Sequence, residues 1–256
     1  LPNVQFDNAQ LMSHTPGEID PANISISGGL FYQNNFQLDG FNMNNDLDPA
    51  SNASGGSGGA SQGLRGGQRS QGFNIDTSLL ESIVVLDSNI GAAYGGFTGG
   101  VVETNGRNPR RDGWHFDISY QHTSDKLTQY HIDEQFEENL ANSTDEKFQP
   151  KFSKHLIKAS IEGWANDKFG IIGAFSTTRS YIPLNGYTTA NQYFNPTQAF
   201  NTREQKRISD NYYLKAFYNV TSDFSLEANL GYMPQFNTYF NNTTKDSFYT
   251  MQTGGY

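Results

Sequence analysis

The sequence has no cysteine among its 256 residues. A disulfide-stapled module, a Cys-x-x-Cys zinc site and a cysteine nucleophile are therefore excluded. Cations are also scarce, because 17 Lys and Arg stand against 26 Asp and Glu and leave a formal net charge of −9. This acidic balance argues against a nucleic-acid-binding protein, which needs Lys and Arg to contact phosphate.

Long apolar runs are missing as well. The longest candidates, 82–86 and 169–175, are of strand length and fall well short of the roughly 18–20 residues of a membrane helix. The first residues, Leu1 to Val4, lack the basic and apolar regions of a signal peptide. We therefore expect a mature form or a fragment.

Aromatic residues are abundant at 14%, Gly numbers 26, and charged residues reach only 17%. Disordered chains are depleted in aromatics, whereas aromatic residues favour strands and Gly and Asn favour turns. An all-β protein accommodates this mixture. A β-barrel of the outer-membrane kind fits better still, because a lipid-facing apolar band around a polar lumen keeps the mean hydropathy low.

Strand-like alternation begins near residue 112. In 224–232 every even position is apolar and every odd position is polar or Gly, and 114–121, 157–165 and 212–220 follow the same period of two with few exceptions. Five such strands are predicted. The residues expected to face lipid are Tyr212, Leu214, Tyr218, Phe224, Leu226, Ala228 and Leu230, and those expected to face the lumen are Lys158, Lys215, Glu227 and Asn229.

The connections between these segments differ in length. Tight turns at 166–168 and 221–223 alternate with long polar stretches at about 124–152, 182–206 and from about 241 onward. Short turns alternating with long loops are typical of transmembrane barrels, whereas a soluble β-sandwich, the alternative, usually has loops of similar length at both ends. Five strands cannot close a membrane barrel, because an open edge leaves unpaired backbone groups in lipid. We therefore expect part of a larger barrel.

The first hundred residues have a different texture. Residues 51–72 are a Gly/Ser-rich stretch that predicts a flexible loop. The segment 79–86 predicts a short helical turn running into a buried strand. A Gly-rich elbow at 94–100 precedes a strand at 101–104, and 107–112 form a charged hinge.

Four short motifs in this region resemble, in order and spacing, the plug domain of TonB-dependent outer-membrane receptors. Ile24-Ser25-Ile26-Ser27-Gly28 is followed by Leu38-Asp39-Gly40, then by Glu81-Ser82-Ile83-Val84-Val85-Leu86, and then by Tyr94-Gly95-Gly96 leading into Gly99-Gly100-Val101-Val102. Arg107-Asn108-Pro109 is similar to the family's plug-closing sequence. In that family a 22-stranded barrel begins after the plug-closing sequence. The alternating segments of this chain begin at the corresponding point.

The resemblance implies a β-class fold, with a mixed α/β plug domain inside a large antiparallel transmembrane β-barrel of which about five strands are present. Residues 1–110 would be an N-terminally incomplete plug and 111–256 the first barrel strands. It further implies active import of a scarce ligand or nutrient across the outer membrane of a Gram-negative bacterium. The implied partners are a TonB-type energy-coupling protein of the inner membrane and outer-membrane lipid, with no nucleic acid. The alternative is a structural or adhesive surface β-protein without energised transport.

Candidate site residues follow from the same resemblance, because plug loops of the family face the extracellular cavity. The residues expected to contact ligand are Phe31, Tyr32, Gln33, Asn44, Asn45, Asp46 and Tyr94. Catalysis is not expected: 59–63 match the Gly-x-Ser-x-Gly pattern formally, but the strand and helix that a nucleophile elbow needs are missing. The five His lack metal-ligand spacing. Hence no enzyme, cofactor or metal is expected.

Overall fold

A computed structural model describes residues 3–6, 14–45, 71–72, 75–142, 148–187, 200–241 and 247–255. Three β-sheets with two, four and six strands form the framework of these residues. The predicted flexible loop at 51–72 lies outside the described residues except for its last two positions. No helix in the described ranges is long and apolar enough to cross a membrane.

The two smaller sheets belong to the N-terminal part of the chain. Strand β1 (Val4–Phe6) pairs with β2 (Ile24–Ile26) in an antiparallel ladder. The four-stranded sheet, called here the N-terminal sheet, has the strand order β4-β3-β6-β5, with β3 parallel to β6 and the other pairs antiparallel. Its strands are β3 (Asn35–Leu38), β4 (Phe41–Asn42), β5 (Leu80–Leu86) and β6 (Val101–Gly106).

A two-residue turn, Asp39-Gly40, joins β3 to β4. Both residues have positive φ, at 48° and 82°, and this combination favours Asp followed by Gly in a tight hairpin. The turn fixes the direction of the Asp39 side chain.

The apolar core beside the N-terminal sheet is small. Ile24, Ile26, Phe36, Met43 and Val102 form its buried cluster. Its small size is a consequence of the short strands, because each of them has few side chains that point into the core.

One expectation for this region is wrong. Strand β5 follows a 3-10 turn at Thr77–Leu79 as predicted, but it is not buried, since Ile83 is 55% and Val84 41% exposed. It lies at the edge of the N-terminal sheet with one neighbour, and an apolar run cannot reveal whether a strand is central or at an edge. The described positions of residues 1–110 hold strands and 3-10 turns, and the mixed α/β character of this region stays a prediction.

The six-stranded sheet, called here the meander, has each strand antiparallel to the next along the chain. It is one continuous sheet and not the two packed sheets of a sandwich. A short helix, α1 (Glu134–Asn142), lies in the long connection between its first two strands. The strands are β7 (His115–Ser124), β8 (Ser153–Trp164), β9 (Phe169–Tyr187), β10 (Phe200–Asn219), β11 (Ser225–Asn241) and β12 (Ser247–Gly255).

The prediction of five strands and of loops at 182–206 and after 241 is therefore wrong in part. Strands β9 and β10 pair through most of the first stretch, from Tyr181 opposite Lys206 to Tyr187 opposite Phe200. Strand β12 lies in the second stretch, after residue 241. Backbone pairing with a neighbouring strand needs no apolar face. These strand segments are polar and show no clear period of two, so the sequence did not predict them.

The two faces of the meander divide as the period of two predicts. Leu230 is 65% exposed on the outer face, whereas the Lys215 side chain is 4% exposed on the inner face. Lys158, Glu227 and Asn229 also make their contacts on the inner side, which confirms their predicted direction. The apolar residues predicted to point outward are exposed.

We predict that Leu214→Lys destabilises the protein in a lipid bilayer by about 2–4 kcal/mol, the cost of Lys on the lipid face of a barrel at the bilayer midplane. Leu214 lies within the apolar outer face, between Tyr212 and Tyr218. The matched control is Ser222→Lys, in the exposed turn between β10 and β11, where little change is expected. Urea unfolding of the full-length protein from vesicles measures both. Equal effects of the two substitutions would contradict a lipid-facing outer surface.

Candidate functional site: a polar interface between the N-terminal region and the meander

The inner face of the meander is polar and nevertheless buried. Burying polar groups is costly unless they find hydrogen-bond partners, and many of the partners come from the N-terminal region. The buried polar residues of this face are Glu162, Ser176, Ser180, Gln205, Arg207, Ser209, Asn211, Lys215, Gln235 and Asn237.

The first cluster holds residues 14–20, called here the anchor segment. The guanidinium of Arg207 on β10 donates two hydrogen bonds of 2.8 Å to the two carboxylate oxygens of Glu18. Both side chains are almost fully buried, with 0% and 2% exposure. A bidentate Arg–carboxylate pair is both strong and geometrically specific. It fixes the anchor segment against the extended part of β10.

Gln149 joins this cluster from the connection between β7 and β8. Its Nε2 donates to Glu18 Oε1 at 2.7 Å, and its Oε1 accepts from the Gly17 backbone N–H at 3.0 Å. Its own backbone N–H donates to the carbonyl of His14 at 2.7 Å. The single glutamine therefore satisfies three groups of the anchor segment.

Other strands add further contacts to the anchor segment. Ser180 on β9 donates to the Gly17 carbonyl at 2.6 Å, and Lys154 on β8 donates to the Glu18 carbonyl at 2.6 Å. A Cβ atom at Gly17 would lie 2.5 Å from Ile182, so this position requires glycine. Close backbone approach is what makes the short hydrogen bonds possible.

The second cluster is centred on the Asp39 carboxylate in the β3–β4 turn. It accepts hydrogen bonds from the Gly106 backbone N–H at 2.9 Å, the Tyr213 hydroxyl at 3.1 Å and the Asn229 amide at 3.2 Å. The ammonium of Lys215 lies 3.5 Å from Asp39 and 2.9 Å from Glu227. One turn of the N-terminal sheet is thus fastened to β10 and β11.

The third cluster holds the segment that leads into β7. The buried Glu162 carboxylate accepts from Arg110 at 2.7 Å and from Arg107 at 3.5 Å. Trp164 Nε1 donates to the Pro109 carbonyl at 3.0 Å, and the Arg111 guanidinium lies 3.6 Å from the centre of a Trp164 ring. The start of the meander is therefore tied to β8.

Asp76 and Lys158 add a contact between the 3-10 turn before β5 and β8, with 2.7 Å between carboxylate and ammonium. Burial alone would raise the pKa of Asp76, but hydrogen bonds from Lys158 and Ser78 outweigh it and hold that pKa below the ordinary value of 3.8. A polar cavity of about 350 Å³ adjoins this contact, lined among others by Arg107, Lys158 and Glu162.

Together these contacts make an interface that is mostly polar. Its apolar part, among the described residues, includes two small clusters, one around Leu79, Ile172 and Tyr213 and one around Phe152 and Ile182. Polar groups can exchange partners with water, whereas separated apolar surfaces cannot. No group of three or more His, Cys, Asp or Glu suited to a metal ion occurs in the described ranges.

The predicted ligand-contacting residues have local roles where they are described. Gln33 accepts from the Leu30 N–H at 2.8 Å, Asn44 accepts from the Phe36 N–H at 2.8 Å, and Tyr94 donates to Glu103 at 2.7 Å, which raises the pKa of Tyr94. Phe31 and Tyr32 form an edge-to-face ring pair at 5.3 Å.

Asn35 links two of these positions, since it donates to the Gly95 carbonyl beside Tyr94 and lies 3.4 Å from the Asn44 amide. Asn45 lies at the end of a described range, and Asp46 lies outside it. Ligand contact by these residues stays a prediction.

The sequence interpretation missed Glu18, Gln149, Glu162 and Arg207. For Arg207 a signal existed, because counting back by two from Tyr213 gives Asn211, Ser209, Arg207 and Gln205 on the same face, and all are buried. Glu18 and Gln149 lie outside the strands, where no period exists to place them.

We predict that Asp76→Asn destabilises the protein at neutral pH and that the difference from the wild type disappears in acid. The folded-state pKa of Asp76 is depressed, so its stabilisation is present above the unfolded-state pKa of about 4 and is lost as pH falls through the folded-state value. Unfolding midpoints measured from pH 7 to pH 3 test this. A difference that persists unchanged at pH 3 would argue against an ionised Asp76 as the source.

We predict that Arg207→Gln costs about 3–5 kcal/mol, because it leaves the buried Glu18 carboxylate without its counter-ion. The matched control is the adjacent Lys206→Gln, whose ammonium is half exposed beside Glu204 and contributes little. Adding Glu18→Gln to Arg207→Gln should recover part of the loss. Denaturant unfolding of the four proteins provides the comparison, and equal losses at 206 and 207 would be inconsistent with the structure.

This architecture is similar to that of a known protein, both in sequence and in structure. The YddB protein of Escherichia coli (strain K12), which carries the description "uncharacterized", is 32% identical over 191 residues, or 73% of this chain and 23% of that protein. The crystal structure of the outer membrane transporter YddB from Escherichia coli superposes with a TM-score of 0.81 at 26% identity, covering 98% of this chain and 32% of the other. No family model matches.

This chain therefore spans about a quarter to a third of the length of the relatives that it matches. The superposition covers the N-terminal region and the meander together, so the likeness extends to how the two are arranged. With the exposed apolar face of the meander, it identifies the chain as β-rich and located in the outer membrane.

Proposed function

We propose that the chain comprises the plug and the first barrel strands of a TonB-dependent receptor, which actively imports a scarce ligand across the outer membrane. The polar interface described above carries this proposal. A domain that only needed to stay in place would be held best by apolar packing, whereas these contacts are suited to repeated release. The likeness to an outer membrane transporter supports transport as the purpose of that release.

In this proposal the inner-membrane energy-coupling protein supplies the work of release. The interface contains several charged contacts besides Glu18–Arg207, and separating the N-terminal region from the meander breaks them together. Spontaneous opening is therefore rare. Mechanical force on the N-terminal part would open it, and re-formation of the same contacts would close it without any bond chemistry.

Ligand binding is assigned in the same proposal to the plug apex and the extracellular loops. The proposed contact residues remain Phe31, Tyr32, Gln33, Asn44, Asn45, Asp46 and Tyr94. Exposed aromatic rings beside amides suit small polar ligands with some apolar surface, and Tyr32 is 37% exposed. The alternative function is a structural or adhesive surface β-protein, for which the interface need never open.

We predict that Ser180→Cys in the full-length protein becomes reactive to a membrane-impermeant maleimide in energised cells. Ser180 is 1% exposed beneath Gly17, so modification requires the anchor segment to move. Labelling should slow several-fold after a proton uncoupler or after loss of the energy-coupling protein. Glu137→Cys on the exposed surface of α1, in the long connection between β7 and β8, is the control and should react equally under all conditions.

A second measurement separates the two functions. Deleting residues 14–106 from the full-length importer should admit a large hydrophilic antibiotic that the outer membrane normally excludes. Labelling at 180 that ignores the energy source, together with no leak after the deletion, would favour the structural or adhesive protein.

A further inference from the structure

The connection between β7 and β8 is called here the first long loop, and its described residues, 125–142 and 148–152, contact the N-terminal region and the inner side of the meander. Gln149 near its end is 0% exposed. Because Gln149 bonds to His14, Gly17 and Glu18, a loop that joins two strands is part of the attachment of the anchor segment.

Aromatic contacts extend this connection further into the loop. The His14 ring lies 5.5 Å from Phe136 of α1 and 5.7 Å from Phe148, in edge-to-face geometry. Phe136 and Phe148 are themselves 6.1 Å apart. The helix in the middle of the loop and the residues at its end therefore meet at the first residue of the anchor segment.

The loop is also closed on itself at its base. The Tyr130 hydroxyl donates to the Pro150 carbonyl at 2.8 Å, and the Asp125 N–H donates to the Phe152 carbonyl at 3.1 Å. Burial, helped by the nearby Asp125, raises the pKa of Tyr130 to about 12, so the hydroxyl keeps the proton that it donates. These bonds tie the two ends of the loop base together.

We propose that the first long loop and the anchor segment open and close together, with Gln149 as the residue that couples them. The inference rests on the proposed import function, in which it regulates release: displacement of the loop removes the bonds of Gln149 to Glu18 and Gly17 and leaves the segment held by the strands, through contacts such as those of Arg207, Ser180 and Lys154. A ligand that repositions the loop would thereby weaken the attachment of the plug.

The amide of glutamine suits this position. Its Nε2 donates to a carboxylate while its Oε1 accepts from a backbone N–H, and neither a carboxylate nor an apolar side chain can do both. Leucine has a similar size without the hydrogen bonds. Coupling of this kind is reciprocal, so release of the anchor segment must also loosen the loop.

Hydrogen exchange in the full-length protein, without ligand or energy source, tests the coupling. Gln149→Leu should speed exchange of the Glu18 amide, which donates to the Thr15 carbonyl and not to Gln149, by about tenfold, as expected when two hydrogen bonds of modest strength are lost from the segment, and should also speed exchange in 148–152. The matched control is Thr128→Val, which removes a hydrogen bond within the loop to the Ser124 carbonyl and should affect the loop alone.

The reciprocal variant is Glu18→Gln, which changes the anchor segment and leaves the loop sequence intact. It should speed exchange of the Gln149 amide, which donates to the His14 carbonyl. If each substitution affects only its own segment, the coupling is refuted. The measurement needs no energised membrane, so it can fail while labelling at 180 succeeds, or the reverse, and the two proposals are judged separately.

Discussion

Arg207 cannot be buried on the inner face of the meander without a counter-ion, and this constraint organises the rest of the interface. Its partner Glu18 must reach it, so the anchor segment must run against β10. Along that course the backbone passes so close to Ile182 that a Cβ atom at Gly17 would lie 2.5 Å from its side chain. A side chain at position 17 is therefore excluded. It also places Gln149 where one amide completes the hydrogen bonding of the carboxylate.

The same principle accounts for the uneven distribution of apolar residues. The outer face of the meander carries exposed aromatic and aliphatic side chains, whereas the inner face carries buried amides, hydroxyls and charges. In a water-soluble protein this would be inverted. The described part of the N-terminal region gives the sheet little apolar surface to pack on, and its own buried cluster of five side chains is modest. Attachment depends on matched polar groups, and geometry matters more than area.

The meander was the part of the fold that sequence periodicity predicted best. One of its faces meets a uniform apolar environment, so every second residue of its strands is apolar. Lys215, Lys158 and Asn229 were assigned to the correct face for this reason. The method failed where polarity was similar on both faces, as in the extended ends of β9 and β10, and it failed for β5, whose apolar residues lie on an exposed edge strand. The Leu38-Asp39-Gly40 motif was noted in the sequence, but the role of Asp39 in attachment depends on Tyr213 and Asn229, far along the chain. Gln149 and Glu18 follow no pattern that one sequence reveals.

The large sequence separations within the interface have a consequence for assembly. Glu18 and Arg207 are 189 residues apart, Asp39 and Asn229 are 190 apart, and Asp20 and Gln235 are 215 apart. Closing such long loops is entropically costly, and contacts of this kind form slowly. Strands β9 to β11 must be in register before these partners exist as a surface. The anchor segment and Asp39 are synthesised before the strands that hold them and are therefore secured late, and until then the buried charges of β10 face water.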